Sequence, residues 1–363
     1  MRFYWASMLN QVGIGFGYSN HQRQLRKALE GIGIEIVDEP GGADIAVSIV
    51  PAGNYVRVEG KYNVLYTMYE AVDLPPKWIP KLNEADLIVV PCRHNKRLFE
   101  RYTKKPIEVC WEGVEVDKFV FKRRAFPVAG EPFVYLWFGA SNERKGYKHM
   151  IVAWQRFCER NKEIANGCLL VMKTTQTAEG LERVVGYDAM GNEIKKVLPK
   201  ERVVRYQNVI FDSRVLPVMS DGKVPGLVNM YHDAHCFVFP TMGEGFGLTL
   251  AEAMATGLPC IYTNWSGPVD ILSEKEGYPV KWKLVPIDTL TPLANGDSIV
   301  ELHTYAASCD IDHLVRRMEQ VYYDYETAVK KGELAAERIR RYFTWELSAR
   351  SFVGIIQKYV GGD

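Results

Sequence analysis

The chain has 363 residues, 47% hydrophobic and 25% charged, enough for two ordinary domains with a core each. Its net charge of +1 speaks neither for nor against nucleic acid, so an electrostatic partner has to be sought in local clusters. The seven cysteines (Cys92, Cys110, Cys158, Cys168, Cys236, Cys260, Cys309) are odd in number, far apart and never spaced C-x-x-C, which disfavours a disulfide framework and a zinc site and fits a reducing cytosol. The start "MRFYWASMLN" lacks the apolar core of a secretory signal, and no apolar run reaches the roughly 18 residues of a spanning helix. A cytoplasmic protein is expected, at most peripheral to a membrane.

In chain order, "RFYWASML" reads as a strand and "NHQRQLRKALE" as a helix ending at Gly31, with Ser19 or Asn20 as its N-cap. "IEIV", "DIAVSIV" and "NVLYT" read as strands, "ADLIVVP" as a buried strand and "NKRLFERY" as a helix. Apolar strands without strict alternation belong in a parallel sheet covered on both faces. "FKRRAFPVAGEP" (Phe121 to Pro132) interrupts the pattern with charge, Pro and Gly, and marks a domain boundary. The rhythm then restarts: strand "PFVYLWFG", helix "YKHMIVAWQRFCERN", strand "CLLVMKT", helix "PGLVNMYHD", strands "HCFVFPT" and "PCIYT". The tail reads as three helices, "HLVRRMEQVYYDYETAV", "GELAAERIRRYF" and "TWELSARSFVGIIQKYV". The expected fold is α/β, with two Rossmann-like doubly wound domains facing a cleft, at 1–127 and 128–343, and a terminal segment at 344–363.

Between the last two strands lies "MGEGFGLTLAEAMATGLPC" (Met242 to Cys260), with Glu244 and Glu252 separated by seven residues. Thr249 precedes Glu252 at capping-box spacing, and Gly257 with Pro259 reads as a helix stop, so Glu252 can be read as a cap. Glu244 cannot. It stands between Gly243 and Gly245 after a strand, at the carboxyl end where open α/β sheets bind ligands. The glycines would let the backbone come close to a ligand, and the amides of Phe246, Gly247 and Leu248 at a helix start would suit an anion. Two carboxylates flanking that anion site would repel bare phosphate and accept hydrogen bonds from hydroxyls on either side of it. A nucleotide sugar has that layout.

The stretch "FPTMGEGFGLTLAEAMATGLPCI" resembles the E-x7-E signature of retaining glycosyltransferases with the GT-B fold, most of all glycosyltransferase family 4 (group 1). The likeness extends to "NVLYTMYEAVDLPPKWIPKLNEADLIVVPC", "GVEVDKF", "NERKG" and "FTWELSARSF", in the expected order. It implies an acceptor-binding first domain, a nucleotide-sugar-binding second domain and a terminal helix crossing back onto the first. Glu244 would hold the donor sugar's hydroxyls and oppose positive charge at the anomeric carbon, and Glu252 would grip the ribose. Gly245, Phe246, Gly247, Leu248 and Thr249 would contact sugar and phosphate. Lys145 would neutralise the departing diphosphate, with Arg144 beside it. Relatives often carry an arginine at the preceding strand end, where this chain has Gly139, Ala140 and Ser141, so Arg144 or Lys173 would compensate. In the first domain the loop with Gly13, Gly15 and Gly17 would approach the diphosphate, and Glu70 would lie near acceptor or donor sugar. A domain hinge would close on donor binding.

No metal or other cofactor is implied. "DID" (Asp310 to Asp312) precedes a helix and reads as capping, and "HDAH" (His232 to His235) has no third ligand in sequence. The rival readings are a NAD-dependent oxidoreductase, suggested by "GIGFG" and Asp38 but lacking a glycine at Tyr18, and a non-catalytic nucleotide-sugar-binding subunit. For the acceptor, "RHNKRLFERYTKK" brings Arg93, Lys96, Arg97, Arg101, Lys104 and Lys105 together, and "KFVFKRR" adds four more cations. They read as solvated faces, or as contacts to an anionic lipid surface or a nucleic-acid backbone, so that glycosylation of hydroxymethylated DNA bases is an alternative. The preferred acceptor is a hydroxyl of a glycan, lipid-linked compound or small molecule. "FDSRVLPVMSDGKVPG" reads as a lid over the nucleobase, without identifying a UDP- or GDP-sugar, and the oligomeric state is left open.

Overall fold

The structure, a computed structural model, describes residues 1–6, 16–175, 182–197, 202–214, 216, 218–219, 226–292 and 298–360. In the first third, short apolar segments pair into one parallel sheet. Its strands are β1 (Arg2–Trp5), β2 (Glu35–Val37), β3 (Ile45–Ile49), β4 (Tyr62–Tyr66), β5 (Leu87–Val90) and β6 (Ile107–Val109), in the order β2-β1-β3-β4-β5-β6. Every residue of β3 and β5 is buried, as expected of strands covered on both sides. The covering helices are α1 (Phe16–Gly31), α2 (Trp78–Glu84) and α3 (Arg93–Phe99). Leu25 and Leu29 of α1 pack on Phe3, Val47 and Val64 at one face, and Trp78, Leu82 and Leu98 on Leu65 and Ile88 at the other.

The second domain opens with β7 (Phe133–Ala140), α4 (Tyr147–Arg160), α5 (Lys162–Ala165) and β8 (Cys168–Thr175). An antiparallel hairpin, β9 (Glu182–Tyr187) with β10 (Glu193–Val197), stands apart from the main sheet. There follow β11 (Val203–Tyr206), β12 (Val209–Asp212), α6 (Leu227–Asp233), β13 (Cys236–Phe239), α7 (Leu248–Ala255), β14 (Cys260–Thr263), α8 (Pro268–Ile271) and β15 (Tyr278–Val280). The sheet order is β11-β12-β8-β7-β13-β14-β15, with β11 antiparallel to β12 and the rest parallel. From β12 onward this is the 3-2-1-4-5-6 order of a doubly wound nucleotide-binding domain, and its direction reverses between β7 and β13.

A long hairpin follows, β16 (Trp282–Pro292) with β17 (Ser298–Cys309), and then α9 (Ile311–Tyr323), α10 (Tyr325–Tyr342) and α11 (Trp345–Val360). The hairpin leaves the second domain and reaches the first: Val72 N donates to Tyr305 O at 3.1 Å, Asp73 N to Thr304 Oγ1 at 3.2 Å and Tyr69 OH to Thr289 Oγ1 at 3.2 Å. Helix α11 crosses back, burying Trp345, Phe352 and Ile356 against the first sheet. The linker after β6 meets the start of that crossing, where Val114 N bonds Phe343 O at 2.9 Å; a Cβ on Gly113 would lie 2.2 Å from Trp345 N.

Several local expectations change. Helix α1 begins at Phe16, so Ser19 and Asn20 lie inside it; Tyr18 OH is fixed by Met68 O and N at 3.0 and 2.9 Å, and this tertiary anchor outweighs the helix penalty of Gly17. The tail breaks at Asp324, which caps α10 by accepting from Thr327 N, rather than before Gly332. Gly332 is a packing glycine inside the helix, because a Cβ there would lie 2.3 Å from Gly257 O. Leu347, an apolar residue in the first turn of the last helix, is exposed. Of the "KFVFKRR" cations, Lys122 and Arg124 hold the linker to the second domain: Lys122 Nζ donates to His232 O at 3.1 Å, and buried Arg124 donates to His232 O at 2.5 Å and Thr256 O at 3.2 Å. All seven cysteines are free thiols, six of them buried.

Candidate active site

The turn after β7 and the turn after β13 leave the sheet on either side of the reversal, so their side chains converge over the crevice. The first carries Arg144 and Lys145; Lys145 N is held by Asn142 Oδ1 at 3.0 Å, and Arg144 O accepts from Met242 N at 2.7 Å, joining the two turns. The second carries Glu244, whose amide donates to Ser266 Oγ at 2.9 Å and whose carbonyl accepts from Gly267 N at 3.1 Å. Ser266 has φ +54°, a strained turn position in "WSGP" that presents its hydroxyl to Glu244.

Lys145 Nζ donates to both carboxylate oxygens of Glu244, at 2.8 and 2.9 Å. Arg144 donates to Gly243 O at 2.9 Å and lies 3.5 Å from both Glu244 Oε1 and Glu70 Oε1. Glu70 comes from the loop after β4, so this ion network spans the two domains. The Glu244 side chain is 8% exposed against 29% for Glu70 and 23% for Lys145, which makes Glu244 its buried centre. Burial lowers the Lys145 ammonium below the usual lysine range while Glu244 opposes the change. For Arg144, burial acts downward, but the charges of Glu70 and Glu244 outweigh it and the net displacement is upward.

The glycines of this turn face protein. A Cβ on Gly243 would lie 2.0 Å from Glu70 O, and one on Gly245 would lie 2.6 Å from Met68 Sδ. They let the second domain's turn seat directly on the first domain's loop. Gly247, with φ +102°, sets the left-handed entry into α7.

Glu252 does not cap α7. The N-cap is Gly247, with no side-chain cap bond, so Thr249 is already one residue inside the first turn. The Glu252 carboxylate instead accepts from Tyr231 OH of α6 at 2.9 Å, and the same hydroxyl reaches Thr249 O at 3.3 Å. Burial pushes the Glu252 carboxyl up to about 8; the Tyr231 hydrogen bond opposes this and the charge of Glu115 adds to it. Glu115, in the linker, is held by Gln24 Nε2 at 2.7 Å and Lys118 Nζ at 2.8 Å. Phe246 is buried and Leu248 and Thr249 are half-buried at the start of α7.

Lys173 lies elsewhere. Its ammonium donates to Arg214 O at 2.6 Å and Asp212 O at 3.3 Å, and burial lowers it while Asp212 opposes. The structure therefore brings Arg144, and not Lys173, into contact with Glu244. Gly13 and Gly15 lie outside the described residues, as does much of the segment from Phe211 to Gly226 read as a lid. Asp38, the ribose-binding acid of the oxidoreductase reading, is exposed and bound to Arg26 at 2.6 Å. His232 Nε2 meets Val120 O at 2.9 Å and His235 Nδ1 accepts from Val134 N at 3.0 Å, while Asp310 caps α9. Among the described residues, no three His, Cys, Asp or Glu side chains converge as a metal ligand set. Of the basic run, Arg101 pairs with Asp73 at 2.8 Å, Lys96 with Glu108 at 3.6 Å and Arg93 with Asp270 at 3.9 Å, while Arg97 and Lys104 are exposed and Lys105 half-buried.

Sequence reasoning missed Tyr231, Ser266 and Glu115. Only Ser266 carried a signal, because Ser-Gly-Pro after a strand marks a turn at the sheet's ligand-binding end. No helix among the described residues is long and apolar enough to cross a membrane.

Residues 132–295 match the family described as Glycosyl transferases group 1. A processive diacylglycerol alpha-glucosyltransferase of Acholeplasma laidlawii is 24% identical over 296 residues, 74% of this chain and 80% of that protein. Among solved structures, the sucrose-phosphate synthase of Thermosynechococcus elongatus superposes with a TM-score of 0.64 at 14% identity, covering 100% of both chains. HepE of Anabaena, crystallised with UDP and glucose, gives 0.62 at 10% identity over 98% of this chain and 99% of that one. Two facing doubly wound domains with this likeness define the GT-B fold of glycosyltransferases. Within that class, the second domain resembles the glycosyltransferases of group 1.

Proposed function

We propose that the protein is a retaining glycosyltransferase that moves a sugar from a nucleotide diphosphate sugar to a hydroxyl acceptor without a metal. The observation that carries this reading is the Glu244 carboxylate held by Lys145 and Arg144 where the strand order reverses, facing Glu70 across the cleft. In this mechanism Glu244 gives up Lys145 to accept hydrogen bonds from the donor sugar and to oppose positive charge at the anomeric carbon. Lys145 and Arg144 then take the departing diphosphate, and preorganised cations of this kind contribute several kcal/mol. Glu252, held by Tyr231, accepts from the ribose hydroxyls. The bond from the anomeric carbon to the diphosphate oxygen breaks as the acceptor oxygen bonds from the same face. The acceptor's proton passes to a phosphate oxygen, so no protein base is consumed.

UDP is the first nucleotide to test, because HepE binds it. For the acceptor, the diacylglycerol named for the Acholeplasma relative supports a lipid-borne hydroxyl, which the exposed Arg97 and Lys104 would favour at an anionic surface. The test is a thermal-shift screen against UDP, GDP, ADP, their sugar conjugates and NADH, repeated with Glu252→Ala, followed by turnover with the stabilising donor. Stabilisation by one nucleotide diphosphate, lost in the variant, and release of that diphosphate on turnover are expected. A shift with NADH alone, or donor binding without turnover or hydrolysis, would overturn the reading.

A further inference from the structure

The four charges at the centre of the site cancel, Arg144 and Lys145 against Glu70 and Glu244. The diphosphate of a nucleotide sugar brings about two further negative charges, which leaves the pocket short of cations unless another joins. Lys173 is engaged by backbone carbonyls and 4% exposed. The β9–β10 hairpin supplies a different one. Arg183 Nε donates to Ser141 Oγ at 2.7 Å, in the turn that carries Lys145, and Nη1 donates to Glu182 O at 3.1 Å. Both acceptors are neutral, and no carboxylate pairs with Arg183 among the described residues.

The hairpin is built to keep it there. Tyr187 N and O bond Gln155 of α4 at 2.8 Å each, Tyr147 OH donates to Val184 O at 3.0 Å, and Val184 and Val185 are buried in the domain core. These fastenings lay β9 along α4 and deliver a half-buried guanidinium to the turn just before that helix. We infer that Arg183 is a donor-binding cation, exchanging the Ser141 hydroxyl for the diphosphate of the nucleotide sugar. The inference rests on the glycosyltransferase reading of the site.

The test is calorimetric titration of the full chain with UDP, UMP and uridine, in wild type and in Arg183→Ala, Arg183→Lys and Ser141→Ala. A charge-assisted contact to phosphate predicts about a tenfold or larger loss of UDP affinity in Arg183→Ala, partial recovery in Arg183→Lys, and uridine affinity unchanged. Ser141→Ala should stay within about twofold of wild type, because the hydroxyl only holds the guanidinium when the site is empty. Equal losses for UDP and uridine, equal losses in Arg183→Ala and Ser141→Ala, or no loss at all would overturn the inference. If wild type binds none of UDP, GDP and ADP, it is the glycosyltransferase reading that fails.

Discussion

Replacing Glu252 by Gln should stabilise the protein in alkaline solution and leave it unchanged in acid. The carboxyl is ordinarily near 4.5 and burial raises it to about 8, so the folded state binds a proton that the unfolded state has released. Below about pH 4.5 both states are protonated and there is no cost. As pH rises the unfolded state gains the advantage of ionising, and the penalty is complete above about pH 8. A tenfold difference in proton affinity is worth about 1.4 kcal/mol, giving roughly 4–5 kcal/mol in full and about 2 kcal/mol once the partial exposure of the side chain is discounted. Glutamine keeps the shape and still accepts from Tyr231 OH, so the charge is the only large change. For a domain of this size about 2 kcal/mol corresponds to a rise in Tm of roughly 4–8 °C. Scanning calorimetry at pH 5 and pH 9 is the assay, read on the transition of the second domain. An equal gain at both pH values, or a lower Tm at pH 9, would refute the reasoning.

Lys145→Ala should lower turnover by about 100- to 1000-fold with a smaller change in donor KM, as expected for a cation aimed at a leaving group; steady-state kinetics would show it. Glu244→Gln should also abolish most turnover, yet bind the free nucleoside diphosphate more tightly because Lys145 loses its partner, a divergence that titration and kinetics read separately. Gly243→Ala places a methyl group 2.0 Å from Glu70 O, so the domains must part there; a loss of about 1–3 kcal/mol and a larger radius of gyration by small-angle scattering are expected.

Periodicity and turn residues reveal elements whose burial is written in their own apolar pattern. The apolar runs of β3, β5, β7 and β13 and the amphipathic α4 were legible for that reason, and so was the pair of glutamates around a glycine turn. What escaped depends on contacts between segments far apart in the chain. The early start of α1 comes from Tyr18 meeting Met68, and the role of Gly243 from Glu70. The β16–β17 hairpin was missed because its residues alternate for a partner in the other domain, with Thr304 turned to Asp73 and Ile287 to the cluster around Trp78. The capping-box spacing of Thr249 and Glu252 was real in sequence but lost its meaning once Gly247 took the cap, leaving the glutamate to Tyr231.

The direct pairing of Lys145 with Glu244 gives the resting site the logic of a two-key lock. A ligand that is only an anion can satisfy the lysine, but it takes the bidentate partner from a carboxylate that is 8% exposed and leaves it only the more distant Arg144, at 3.5 Å. A ligand that offers only hydroxyls can satisfy the glutamate, but it leaves the ammonium without its counter-charge. A molecule carrying both, joined at the right separation, opens the pair at no net loss of partners. On the proposed roles, the empty enzyme is therefore protected from cellular phosphate and from free sugar alike, and the bond to be broken is the very feature by which the donor is recognised.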